Sequence, residues 1–273
     1  MTISDFLKRY SFLKKSGRCL ALLTALSLSL LTSTAQVGDH RSEFAVGVNG
    51  GYVMSSVGFL PKVPQDQHGG ITFGATMRYT SEKYFSSVCA IVAEVNYAQM
   101  GWKESILTIE DEPVINEQTG LPEEYQRDIN YIQIPVFARL GWGRERRGLQ
   151  VYFQAGPQLG FYLKESTKAN FDLNNPNTYQ RTSLVSSSLT NASKMYFMPV
   201  ENKLDYGIAA ALGLEFSHSK VGHFLVEGRY YYGLGNIYGS TKRDYFAISN
   251  YAGIYIKMSY LIDINKSKND KIK

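Results

Sequence analysis

The sequence predicts an all-β fold, an antiparallel up-and-down transmembrane β-barrel, most simply of eight strands. Three observations predict it. Eight stretches alternate in polarity with a period of two, the segments joining them are short and long in turn, and one face of each stretch carries no charge. A ten-stranded version stays open, because the Asn-, Ser- and Thr-rich segment 165–204 has room for one more hairpin.

The N-terminus sets the compartment. Lys8, Arg9, Lys14, Lys15 and Arg18 form a basic region ahead of the apolar run "CLALLTALSLSLL" (19–31). That run falls short of the ~20 residues a membrane-spanning helix needs. Ser33 and Ala35 then stand at the spacing a signal peptidase reads, so residues 1–35 are expected to be a secretory signal peptide cleaved after Ala35. The competing reading is an uncleaved anchor helix. Cys19 opens the apolar run rather than closing it, which argues against lipidation.

Setting the leader aside changes the charge argument. It holds five of the 29 basic and one of the 24 acidic residues, leaving 24 against 23. The high pI is therefore no reason to expect nucleic acid as a partner. Cys89 is the one cysteine after residue 35, which argues against a disulfide framework and a Cys-based metal site. Twenty Tyr, fourteen Phe and 24 Gly favour sheet and tight turns.

Strands are expected at 43–55, 70–80, 88–101, 129–143, 149–164, 205–217, 223–235 and 249–263, each longer than the ~9–11 residues that cross a bilayer at a tilt. The joining segments 81–87, 144–148 and 218–222 are short, whereas 56–69, 102–128, 165–204 and 236–248 are long. Short periplasmic turns and long extracellular loops are the layout of an outer-membrane barrel. The barrel domain then spans 36–265, and "KSKNDKIK" (266–273) is a basic C-terminal tail.

In "NYIQIPVFARLGWG" (130–143), alternate residues from Ile132 to Trp142 are apolar, while Gln133 and Arg139 share the other parity. The same split runs through the chain. Phe44 to Tyr52, Ile71 to Tyr79, Cys89 to Tyr97, Leu149 to Leu163, Tyr206 to Phe216, Phe224 to Leu234 and Ala252 to Ile262 supply an uncharged face. The other face carries Glu43, Arg78, Glu94, Arg139, Glu215, Glu227, Arg229 and Lys257, with Gln150, Gln154, Gln158 and many glycines. A wet exterior would scatter charge outward, so the uncharged face is assigned to lipid and the charged face to the lumen. A soluble lipocalin-like barrel or sandwich is the alternative, with the apolar face as its core and no reason for alternating loop lengths.

Aromatics on the lipid face are expected to form two girdles. Trp142, Phe216 and Tyr260 fall near the short-turn rim; Tyr52, Tyr97, Tyr206 and Tyr232 fall near the long-loop rim. Pro135 and Pro157 sit inside strands of a sheet with no free edge, so a bulge is expected at each, without a change of face.

These residues carry a family resemblance. "FAVGVNGGYVMSS", "GITFGATMRY", "AEVNYAQMGWK", "INYIQIPVFARLGW" and "YFQAGPQLGFYL" resemble, in order, the first five strands of the PorT-like outer-membrane β-barrel family of Gram-negative bacteria. Tyr131-Ile132-Gln133-Ile134-Pro135 and Ala155-Gly156-Pro157 carry most of the likeness. The resemblance implies residence in the outer membrane and, from the family's namesake, a role in protein secretion. The sequence departs from the family in its long third outer loop and its basic tail: Tyr260 is followed by thirteen residues.

An eight-stranded barrel is only wide enough for its own side chains. The four acids and four bases on the inner face are therefore expected to pair and plug the lumen, with a charged solute pathway as the alternative. For catalysis, the candidates are His40, His68, His218 and His223. None stands beside a Ser/Asp pair at the outer lipid face, and His68 with Asp66 is the one outward candidate, so no catalytic residue, cofactor or metal is assigned. The remaining class is binding or assembly. Membrane lipid is the expected partner of the strands. Secretion or envelope proteins are the candidate partners of loops 102–128, which is acidic, and 165–204.

Overall fold

The computed structural model describes residues 39–84, 86–108, 110–116, 119–144, 147–173, 196–239 and 246–266. The expected signal peptide and its Ala35 cleavage site lie outside these residues, as do the centre of the 165–204 loop and all but the first residue of the tail.

Among the described residues nine strands follow one another: β1 (Asp39–Leu60), β2 (Gln65–Asp66), β3 (His68–Tyr84), β4 (Ser87–Ser105), β5 (Glu124–Gly143), β6 (Gly148–Ala169), β7 (Leu204–His218), β8 (Gly222–Gly233) and β9 (Ile248–Asn265). The stub β2 only extends the sheet beside Lys103 and Glu104 of β4. The eight long strands pair antiparallel with their chain neighbours, and β9 returns to β1, so the sheet closes on itself. Closure leaves the eight long strands no free edge, which is what a sheet in hydrocarbon requires of its backbone. The fold is the eight-stranded up-and-down barrel that the periodicity predicts.

Each predicted strand is present, and several run further than expected. Residues 102–105, 124–128 and 165–169, read from sequence as loop, are paired strand: Lys103 faces Gln126 and Arg127 faces Thr167. Their polarity does not alternate because they stand beyond the apolar band, where neither face needs to be apolar. At the other rim the turns are tight. Gly148 and Gly222 each start a strand at φ of 118°, a conformation that side chains other than glycine adopt at a cost.

The bulges expected at the prolines are not there. Pro135 pairs with Gln158 and Ala138 with Ala155 in one unbroken register, and the β4 side likewise keeps step from Ala93–Val136 to Asn96–Gln133. The ladder drops pairs around the two prolines instead of inserting a residue. Gly156 lies so close to Val136 that a Cβ would collide with its carbonyl. The register shift between β5 and β6 falls higher, between Asn130 and Tyr131.

The two faces separate as alternation requires. Val48, Ile71, Phe73, Ile91, Val136, Leu149, Ile208, Leu212, Phe224, Ile256 and Met258 are exposed on the outside. Buried inside are not only Gln133, Gln154 and the ionic residues but a large apolar core containing Met100, Trp102, Tyr131, Phe137, Tyr231, Tyr251 and Tyr255.

Candidate functional site

The interior is the part of the molecule with chemistry, and it is built in layers. Nearest the short turns, Glu215 of β7 accepts hydrogen bonds from Arg78 of β3 at 2.8 Å and from Arg139 of β5. His223 of β8 lies 2.7 Å from the same carboxylate and 2.9 Å from Asp263 of β9. Glu43, half-buried, lines a cavity of about 30 Å³ with Arg78, Arg139 and Glu215. That is room for a water or two.

The next layer sits mid-barrel. Arg229 donates to both oxygens of Glu94, at 3.0 and 2.7 Å, and its Nε donates to Glu227 at 3.0 Å. Lys257, with no exposed surface, donates to Glu94 at 2.6 Å. Asn96 adds a fourth donor to Glu94, while Tyr152 and Gln154 complete Glu227 at 2.9 Å each. Two acids and two bases cancel, and each carboxylate is saturated with donors, the condition under which buried charge is tolerated. The Tyr152 ring, 3.7 Å below the Arg139 guanidinium, joins this layer to the first. Of the eight residues picked from sequence, Arg78, Arg139 and Glu215 meet directly, as do Glu94, Glu227, Arg229 and Lys257. Glu43 faces the first group across the cavity.

Sequence reasoning missed several members, among them His223, Asp263 and Tyr152. His223 and Asp263 share the inward parity of Glu227 and Lys257, and Tyr152 that of Gln154, so parity alone could have found them. His223 also forms a Ser–His–Asp arrangement, with Ser217 Oγ 2.9 Å from Nδ1 and Asp263 beyond Nε2. Its two nitrogens face the carboxylates of Glu215 and Asp263, and the Ser217 hydroxyl is itself engaged with Glu215 at 3.0 Å.

Toward the long loops the filling turns aromatic. The Tyr255 hydroxyl lies 3.3 Å from Gln133 Oε1 and 3.4 Å from Met100 Sδ, Tyr231 donates to Asp205 at 2.6 Å, and the Tyr131 and Tyr251 rings cross edge to face. At the mouth, Phe59 of β1 and Trp102 of β4 meet Tyr238 and Phe246 from the segment before β9. Arg127 sits 5.8 Å from both the Trp102 and Tyr238 rings, donates to the Tyr238 hydroxyl, and pairs with Glu165 at 2.6 Å. Tyr196, from the segment before β7, packs on Tyr125 and leaves a cavity of about 20 Å³. The loops thus fold into the barrel mouth.

The outward candidate His68 is 2% exposed, and its partner is Asp128 at 2.5 Å, 60 residues on. Asp66 instead accepts from Ser105. Among the described residues no group of three His, Cys, Asp or Glu side chains is arranged to hold a metal.

The model of one protein family, described as an outer membrane protein beta-barrel domain, matches residues 34–239. The chain belongs to that family. The match stops before Ile248–Asn265, the strand that closes the ring on β1. Among solved structures, the chain is similar to Ail, the attachment invasion locus protein of Yersinia pestis, with 13% identity over 81% of this chain and 99% of that one, at a TM-score of 0.33. It is also similar to Neisserial surface protein A, with 10% identity over 80% and 96% of the two chains and a TM-score of 0.38. OprG from Pseudomonas aeruginosa shows 12% identity over 82% and 98%, with a TM-score of 0.37. No curated protein matches the sequence.

As an outer-membrane barrel the molecule sits in membrane lipid, so its exposed aliphatic band meets hydrocarbon. The aromatic residues read as girdles all lie outside. Tyr52, Trp142, Tyr206, Phe216 and Tyr232 are exposed; Tyr97 and Tyr260 are partly covered, by Phe73 and Phe224. Register sets Phe216, Phe224 and Tyr260 in one row near the turns.

Proposed function

We propose that this outer-membrane barrel is a plugged scaffold that works through its extracellular loops, as a structural, binding or secretion-assembly protein rather than a channel or an enzyme. The saturated mid-barrel layer of Glu94, Arg229, Glu227 and Lys257 carries this reading. An ion crossing it would have to displace donors that each carboxylate already uses, and the aromatic mouth repeats the obstruction. The eight ionic residues then serve structure, and the role needs no cofactor. The small channel is the competing reading.

The surface left for partners is the extracellular rim. The acidic loop is ordered by its own backbone bonds, Val114 to Ile106 at 3.0 Å and Glu123 to Val114 at 2.7 Å, and holds Glu110, Asp111 and Glu112 exposed at its tip. Such a tip suits a basic protein surface. The likeness of Tyr131–Pro135 and Ala155–Pro157 to PorT-like barrels supports secretion assembly as the specific role, with 165–204 as the second contact. The two aromatic rows mark the membrane interfaces, and export uses residues 1–35 as a signal cleaved after Ala35. The deciding experiment is single-molecule conductance of the purified protein in planar bilayers. The plugged scaffold predicts no steady open current; a reproducible open-pore current establishes the channel instead.

A further inference from the structure

Glycines inside these strands mostly stand where another backbone comes too close for a side chain. A Cβ on Gly47 would collide with the Tyr260 carbonyl, and one on Gly207 with the Tyr232 carbonyl. Gly228 differs. It lies in the middle of β8 on the outward parity, and a Cβ built there meets nothing within 4 Å. No packing demands this glycine. At Gly228 the outer wall instead has an open groove of about 390 Å³, lined by Phe153, Ala210, Ala211, Leu212, Gly228, Arg229, Tyr230 and Ile254. Register builds it from two adjacent rows: Phe153, Leu212 and Gly228 in one, Ala210, Tyr230 and Ile254 in the next.

We propose that this groove holds one acyl chain of a membrane phospholipid against β7 and β8. The groove is continuous with the lipid-facing band, and Gly228 lies midway along β8 between the outward aromatics Phe224 and Tyr232. Hydrocarbon is therefore what reaches it. The one charged residue in its lining, Arg229, has inward parity and donates to Glu94 and Glu227 inside the barrel, so a chain is recognised by shape and dispersion, not through a headgroup. Its volume is many times the ~30 Å³ share of one water and accommodates a run of methylenes rather than a single group. A chain lying in the groove is touched on its sides as well as its base, and each added atom pair contributes attraction that a flat wall cannot offer. The consequence is a chain that exchanges more slowly than its neighbours.

The test fills the groove. The unmodified protein, Gly228→Leu and Gly228→Ala are each reconstituted in phosphatidylcholine vesicles containing a trace of phosphatidylcholine with a nitroxide near its chain end. Electron paramagnetic resonance then reads the motionally restricted chains per barrel. Gly228→Leu is expected to lower that number by about one chain per barrel, and Gly228→Ala by less, because each added atom replaces chain contact. Heat-modifiable migration in detergent reports that the variants are folded, and if Gly228→Leu does not fold, Gly228→Ala decides. An unchanged restricted population in a folded variant overturns the proposal. So does sedimentation showing that the unmodified protein self-associates and Gly228→Leu does not, which would make a second copy the occupant.

Discussion

Toward the periplasm the lumen is closed by ions, and toward the extracellular side by rings. Glu215 and Glu94 each gather several cations or amides, whereas Phe59, Trp102, Tyr238 and Phe246 close the mouth by area. Both fill the lumen with side chains, but they fail differently. An ionic layer is all or none, since removing one member strands its partner's charge in a place with no solvent. An aromatic layer is graded, since each ring removed costs its own contacts and the cavity it leaves. The rings also belong where the loops enter: side chains from connecting segments can find an apolar packing without the directional geometry that a saturated carboxylate needs.

The largest effect is expected in the ionic half. Arg229→Met leaves Glu94 with one cation and Glu227 with none, and should cost about 3–5 kcal/mol of stability in lipid vesicles, read by urea unfolding. A loss as small as that of an exposed residue would break the contrast. In the aromatic half, Trp102→Ala should cost about 3 kcal/mol. It should leave planar-bilayer conductance closed, because the ionic layer beneath is intact; an open current would assign the whole seal to the rings. The smallest effect is expected between the halves. Gln133→Leu combined with Tyr255→Phe removes both partners of a polar contact set among apolar groups, and should change stability by less than about 1 kcal/mol. A loss comparable to Arg229→Met would mean that the ionic logic extends further up the barrel.

How much of this could be read in the sequence follows the same division. Period two, with charge confined to one parity, gave the strands and both faces, because lipid tolerates no exception on its side. The ionic residues were legible one by one, but not as pairs: Arg229 and Glu94 are 135 residues apart, and nothing local links them. The rings escaped for another reason. Tyr131, Phe137, Tyr251 and Tyr255 lie in phase with Gln133, Arg139 and Lys257, yet tyrosine is at home on either face of such a wall, so only strict parity marks them as inward. His68 was matched to Asp66 by proximity in the chain, when the strand ladder brings Asp128 to it. The prolines misled because a ladder can lose pairs without shifting register.

The central claim is an inside-out barrel with a sealed interior, and the two tryptophans test it directly. Trp142 is 40% exposed on the outer wall, and Trp102 is 4% exposed within the mouth. Trp102→Phe leaves Trp142 alone, and Trp142→Phe leaves Trp102 alone. Each is reconstituted in vesicles of phospholipid brominated in its acyl chains, where bromine quenches any indole it touches. The account predicts strong quenching of Trp142 and almost none of Trp102, with Trp102 also shielded from aqueous iodide. Quenching of Trp102 by brominated chains and not of Trp142 would reverse the faces, and ready quenching of Trp102 by iodide would show the interior open to water.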